Sequence, residues 1–295
     1  MDVSVILQQL LNGISLGGVY ALLAVGFGIV FNILKFSNFS HGGVIAICAY
    51  LGYLISNHVL PNFWLSMLIT VFLGGVIGVI VERLVFRPIR IKGRPLTYFF
   101  VNSITVMMLV QQFFSALWGS DYYTYPQFMK NTTFHLGRGL VVSKAYVMML
   151  AVSAVVLIAL SLFLNRTKTG IAIRAASSDI RTPALMGINT DVIVATTFFL
   201  AGMLAAVTGY FLGMSYTVNP FIGSYVIKGI IAAIIGGMGS LFGGVIASLI
   251  LGMLESILVA QIGASLTPII IWALIIVLLL FRPQGIAGKI FTVKA

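Results

Sequence analysis

Eight apolar runs recur along this chain, and they constrain its fold more than any other feature. They fall roughly at residues 5–34, 41–57, 62–86, 95–118, 143–165, 191–217, 224–259 and 265–281. An apolar stretch of about 18 residues or more reads as a membrane-spanning helix, because in hydrocarbon a helix satisfies its own backbone hydrogen bonds. The roughly ten-residue alternating segments of a membrane β-barrel are absent. Charged residues make up 8% of the chain, against about 25% in a soluble domain. The expected fold is therefore all-α: a polytopic membrane protein of about eight membrane segments, forming a single transmembrane domain over residues 1–295.

The net charge of +11 would suggest nucleic acid in a soluble protein, but the charges lie in the wrong places for that. Five basic residues fall between 83 and 94 (Arg83, Arg87, Arg90, Lys92, Arg94), and four more are Arg166, Lys168, Arg174 and Arg181. Arg282, Lys289 and Lys294 follow the last apolar run. Clustering in short loops at helix ends is the positive-inside pattern, so the partner implied is lipid and no nucleic acid is expected. Loops 87–94 and 166–190 are then cytoplasmic, and the Tyr-rich connection 119–142 lies outside.

Parity is less comfortable after residue 190, since three simple spans would leave Lys289 and Lys294 outside. The run 224–259 is longer than one span needs and is interrupted by "GGMGSLFGG" at 236–244. A break there predicts two short helices forming a hairpin that enters and leaves on one side, which returns the last helix to the cytoplasm. Non-helical backbone at membrane depth must be covered by protein or line a cavity, so Gly237, Gly239 and Ser240 become candidates for a translocation path. "NILKFSNFSHGG" at 32–43 resembles "MSYTVNPFIGSYVIKG" at 214–229 in order. Both place a long helix before a polar stretch and a short Gly-flanked helix, which suggests an internal repeat with interrupted helices. The N-terminus lacks a basic n-region and a small-residue cleavage site, and reads as a retained first helix.

Catalytic chemistry finds no support. "GGMGS" is not followed by the Lys of a phosphate-binding loop. His41, His58 and His135 lack metal-ligand spacing, so no metal site and no cofactor bound by this chain are expected. Cys48, the single cysteine, reads as a buried small hydrophobe. The glycines of "NGISLGGVYALLAVGFG" suit close helix packing.

Ionisable groups inside a span are the sharper signal, since a central acid is costly there. Glu255 either faces a cavity, pairs with a base or sits at the interface. Glu82 reads as an interfacial ion pair with Arg83, and Lys228 as a residue that snorkels outward. Neutral candidates for the path are Asn12, Ser15, Asn38, Ser40, Asn102, Ser103, Thr105, Gln111 and Gln112, together with His41. Hydrogen bonding between helices is the default account of such groups.

"GIAIRAASSDIRTPALMGINTD", residues 170–191, is a polar island between two nearly pure hydrocarbon runs. It predicts short helices near 170–178 and 181–187, with Pro183 in a first turn and Gly187 as the stop. Ala184, Leu185, Met186 and Ile188 supply an apolar patch beside Asp179, Arg181 and Asn189. A plain connection needs only about two to eight residues, and a disordered linker would lack that patch. Segment 166–190 is therefore expected to be an ordered cytoplasmic element that presents a surface to a partner.

That stretch resembles the cytoplasmic loop of permease subunits in the branched-chain amino acid family of ABC importers. "GGVYALLAVGFGIVFNILKFSNFSHGG" at 17–43 is similar to the family's N-terminal signature. "IAAIIGGMGSLFGGVIASLILGMLE" at 231–255 is similar to its C-terminal one, and "FRPQGIAG" at 281–288 to its closing segment. The resemblance implies a multi-pass permease of a prokaryotic cytoplasmic (inner) membrane, similar to the eight-segment member of a permease pair. It implies a second homologous permease, two ATPase subunits that use ATP and Mg, and an extracytoplasmic solute-binding protein. The loop would then dock on an ATPase through Arg174, Asp179, Arg181, Ala184, Gly187 and Asn189. Leu, Ile, Val or related amino acids are the implied cargo. Urea or short-amide permeases share the signatures, and an ion-coupled secondary transporter is the alternative from another class.

Overall fold

The computed structural model describes residues 3–119, 121–126, 128, 133–135, 141–180, 184, 186–281 and 285. In chain order these form α1 (Val3–Leu34), α2 (Ser40–Leu54), α3 (Phe63–Val81), α4 (Arg87–Ile91), α5 (Leu96–Trp118), α6 (Lys144–Arg166) and α7 (Lys168–Ser178). They continue as α8 (Thr190–Ser215), α9 (Val226–Gly236), α10 (Leu241–Ile262) and α11 (Thr267–Phe281). A short ribbon pairs β1 (Thr133–His135) antiparallel with β2 (Val141–Ser143). π-helical turns at Ile55–Val59 and Glu82–Phe86 prolong α2 and α3. Seven helical segments among the described residues are long and apolar enough to cross a membrane, and 222–236 and 267–278 are shorter apolar helices. The chain is a multi-pass all-α membrane protein.

The polar residues between apolar runs set where helices begin. Asn62 accepts hydrogen bonds from the Trp64 and Leu65 amides at 3.1 and 3.2 Å to open α3. Ser240 caps α10 by accepting from the Gly243 amide at 3.0 Å, and Asn189 caps α8 in the same way. Each cap satisfies amide donors that the first helical turn leaves without partners.

The expected break in 224–259 is present. Gly237 and Gly239 have φ of +93° and +104°, a backbone that glycine adopts without steric cost. The expectation of two short helices needs correction, because α10 runs for 22 residues and is a full span. No residue after Ser240 needs a positive φ until Gly263, at +84°, so nothing interrupts the helix.

The chain forms two compact units. The first comprises residues 1–28, 129–154 and 228–295. Within it α1 and α10 run antiparallel. A Cβ added to Gly13 would lie 2.6 Å from Met253 Cα, and one on Gly17 would lie 2.7 Å from Leu249 Cα. Such backbone contact is how membrane helices gain packing energy where burial from water contributes little. A Cβ at Gly285, past α11, would fall 2.6 Å from the Gly237 amide. The last helix thus brings the chain back to the break, as a hairpin of α9 and α10 followed by one further crossing requires.

The second unit comprises residues 29–128 and 155–227. Helices α3 and α8 cross at Gly74 and Gly202, where a Cβ on Gly74 would lie 2.7 Å from the Gly202 carbonyl. Tyr210 lies buried in this core, its hydroxyl 2.7 Å from Ser66 Oγ and 3.1 Å from Ser56 Oγ. At one end a β-bridge joins Tyr123 to Val218. There Tyr125 donates to the Ala49 carbonyl at 2.8 Å, and burial raises its pKa well above the ordinary tyrosine value. At the other end Phe86 packs with Phe36, Phe99 and Phe198 at centroid distances of 5.2, 6.2 and 5.4 Å.

Two short motifs also recur along the chain in the same order. The pentapeptide Gly-Gly-Val-Ile-Ala opens α2 at 42–46 and α10 at 243–247. Phe-Arg-Pro then recurs at 86–88 and 281–283. Both pentapeptides follow a helix break, and each lies in a different unit.

Candidate functional site

The described part of the polar island begins with α7. Thr167 caps this helix, accepting from the Gly170 amide at 3.0 Å while its hydroxyl donates to the Phe163 carbonyl at 2.8 Å. Gly170, Ala172, Ile173 and Ala176 are buried, and the helix packs on α8. Arg174 is held at the surface by its donation to Asn165 Oδ1 at 2.9 Å. Asp179 ends the helix with extended backbone, its amide bonded to the Ala175 carbonyl at 3.3 Å.

Arg181, Pro183 and Leu185 lie outside the described residues, as does most of the expected second helix. Ala184 is helical and exposed. Gly187 follows with φ of +75°, and its amide donates to the Ala184 carbonyl at 3.0 Å, as expected of a helix stop. Met186 is 77% exposed and Ile188 43%, so these two members of the expected apolar patch are open at the surface. Asn189 then accepts from the Asp191 amide at 2.9 Å to start α8.

Both ends of the island are tied to the second unit by contacts that sequence reading missed. Lys35 lies in the break between α1 and α2, and its ammonium donates to the Ser177 carbonyl at 2.8 Å. A cation there complements the free carbonyls at the C-terminal end of α7. Among the described residues, Lys35 is the one non-glycine with positive φ, at 56°. At the other end Asp191 accepts from Arg87 Nε at 3.0 Å and from Arg90 at 2.8 Å. Arg90 also donates to Glu82 at 2.7 Å, whose carboxylate is fully buried. The expected partner of Glu82, Arg83, stands farther away at 3.5 Å. The expected pair with Arg83 is thus present, and the first turn of α4 adds Arg90 as the closer partner that a buried carboxylate needs.

A second cluster lies in the first unit. Glu255 Oε1 pairs with Lys228 Nζ at 2.5 Å, and Tyr20 donates to Glu255 Oε2 at 2.9 Å. Lys228 also donates to the Tyr20 hydroxyl at 3.0 Å. Glu255 therefore pairs with a base, one of the three readings open for it. Lys228 does not snorkel outward as expected, because a carboxylate within the bundle offers its charge a closer partner than the interface.

The remaining path candidates are scattered. Asn12 accepts from Gln8 at 3.3 Å. Asn38 accepts from the Ser40 amide and hydroxyl at 3.1 and 2.5 Å, and His41 is buried at 3% exposure. Asn102 and Thr105 each donate to the carbonyl four residues back, at 2.8 and 3.0 Å. Gly237, Gly239 and Ser240 form the break. Among the described residues no group of His, Cys, Asp or Glu is arranged to hold a metal ion.

A helical bundle crossing the membrane many times, with one anchored loop that turns an apolar patch outward, is the architecture of a transport permease. The chain belongs to the family described as branched-chain amino acid transport system, permease component, which it matches over residues 9–280. It is 33% identical to the high-affinity branched-chain amino acid transport system permease protein LivH of Salmonella typhimurium, over 96% of each chain. It shows the same identity and coverage to the corresponding protein BraD of Pseudomonas aeruginosa. It is 25% identical to the probable branched-chain amino acid transport permease protein LivH of Methanocaldococcus jannaschii, over 90% of this chain and 88% of that one. No solved structure matches the chain. Family membership makes it a membrane transport component rather than an enzyme.

Proposed function

We propose that the chain is the permease subunit of an ATP-driven importer that carries branched-chain amino acids across a prokaryotic cytoplasmic membrane. It works with a second homologous permease, two ATPase subunits and an extracytoplasmic solute-binding protein. ATP and Mg are used by the ATPase subunits, and this chain binds no cofactor of its own. The cargo named for its relatives supports branched-chain amino acids over urea or short amides.

The observation that carries this reading is the anchored island itself. Residues 184–188 turn Ala184, Met186 and Ile188 outward, while Lys35, Arg87 and Arg90 hold its two ends. Exposed apolar residues beside such anchors suit a protein contact. In this reading the ATPase docks there, with Arg174, Asp179, Arg181 and Asn189 as the polar residues of the contact.

The test is purification of the chain from its native membrane, followed by identification of what accompanies it. An ATPase subunit and ATP-dependent accumulation of labelled leucine by the reconstituted complex are expected. Purification without any ATPase would sink the reading, and accumulation of urea instead would change its cargo.

A further inference from the structure

Helix α5 has two dissimilar faces. Phe99, Ser103, Met107, Val110 and Phe114 are buried, and the helix packs on α2, with Phe114 stacked on Tyr50 at 4.1 Å. The opposite side is open along the length of the helix. Val101, Thr105, Met108 and Gln112 follow one another there at helical spacing and are all exposed. Asn102 stands half-buried at the edge of this stripe.

Comparison with α3 of the same unit shows what is unusual. The exposed face of α3 consists of Trp64, Leu65, Leu68, Phe72 and Ile80, as hydrocarbon requires. The exposed side of α5 also carries Phe100, Leu109, Phe113 and Leu117, but one stripe of it places a hydroxyl and a carboxamide, with a second carboxamide at its edge, on a helix of similar length. Thr105 lies roughly 14 Å of helical rise from Leu96, near the middle of a span that is about 30 Å thick. Thr105 and Asn102 spend one donor each on their own helix. The Asn102 carboxamide oxygen and the Gln112 amide find no partner among the described residues. Lipid cannot supply those hydrogen bonds. Water and a polar solute can.

We infer that the stripe Asn102, Thr105, Met108 and Gln112 forms a hydrated wall of the solute's passage, with α3 turned to lipid. The inference rests on the proposed transport reading for its solute, a zwitterionic amino acid with an apolar side chain. Its own content is that water reaches this face. Neutral amides and a hydroxyl suit such a solute, because they hydrogen-bond an ammonium or a carboxylate in passing without holding either as an ion pair. Met108 and Leu109 supply apolar contact beside them.

The test is thiol labelling of the assembled transporter in membrane vesicles with a water-soluble, membrane-impermeant thiosulfonate. The variants Thr105→Cys, Gln112→Cys, Leu68→Cys and Phe72→Cys are compared in a Cys48→Ala background. The parent with its buried Cys48 serves as a check that this background folds. A thiol reacts as the hydrated thiolate, so Thr105→Cys and Gln112→Cys should react roughly tenfold faster than the two α3 positions. Saturating leucine should slow them severalfold while leaving Tyr122→Cys, in the exposed connection, unchanged. Should either α5 variant fail to assemble, Met108→Cys reads the same face.

If the α5 positions resist the reagent while Tyr122→Cys reacts, the hydrated wall is overturned. If they react but leucine has no effect, the wall is not the solute's path. Absence of leucine uptake by the unsubstituted transporter counts against the transport reading alone, since the contrast between α5 and α3 is measured without it.

Discussion

Glu255 and Lys228 illustrate how much a single position reveals. Sequence marks Glu255 as an anomaly because an acid inside an apolar run is costly, yet says nothing of which base answers it. Lys228 is separated from it by a helix, a break and half of another helix, and only folding brings the two to contact. Replacing Lys228 by Met should leave an uncompensated buried carboxylate and cost about 3 kcal/mol or more. Thermal unfolding of the detergent-purified complex checks this, and Lys228→Met with Glu255→Leu should recover most of the loss. Gly187 was legible for a different reason, because a positive φ is a local demand. Its substitution by Val, which tolerates φ of +75° poorly, should weaken ATPase co-purification while leaving membrane insertion intact.

Helix α7 and its anchors belong together. The N-terminal cap at Thr167 was readable in principle from its position before an amphipathic segment, whereas Lys35 reaches Ser177 across 142 residues and leaves no trace in spacing. Exchanging Lys35 for Met should preserve assembly and raise the ATP hydrolysed per leucine transported, because the end of α7 is no longer held to the break after α1. An unchanged ratio would show that the anchor carries no force. Arg90 joins Asp191 of α8 to Glu82 beyond α3. Its replacement by Met strands Glu82 and should lower stability by about 3 kcal/mol, measurable as a fall in melting temperature. The α9–α10 break was legible in its glycines, and the length of α10 was not, because an interrupted apolar run reads the same whether its second part is short or long.

In the second unit the basic stretch 87–94 and the polar island share an end. Arg87 and Arg90 meet Asp191 beside the polar island, while Tyr123 meets Val218 at the opposite ends of α5 and α8. This agrees with cytoplasmic 87–94 and 166–190 and an external 119–142. In intact cells an impermeant thiol reagent should therefore label Tyr122→Cys and spare Lys92→Cys until the membrane is opened. The reverse pattern would invert the topology.

Hydrophobicity, charge placement and glycine position were enough to establish the class of fold, the membrane segments, the break at 237–240 and the helix stop at Gly187. These follow from local rules, since a span's length, a basic loop and a positive φ each depend on neighbouring residues alone. The tertiary structure decided which charges pair, what holds the two ends of the loop, and which face of α5 stays open. Those depend on contacts between residues far apart in the chain, and a low-dielectric interior that rewards one pairing over another is made only when the helices pack.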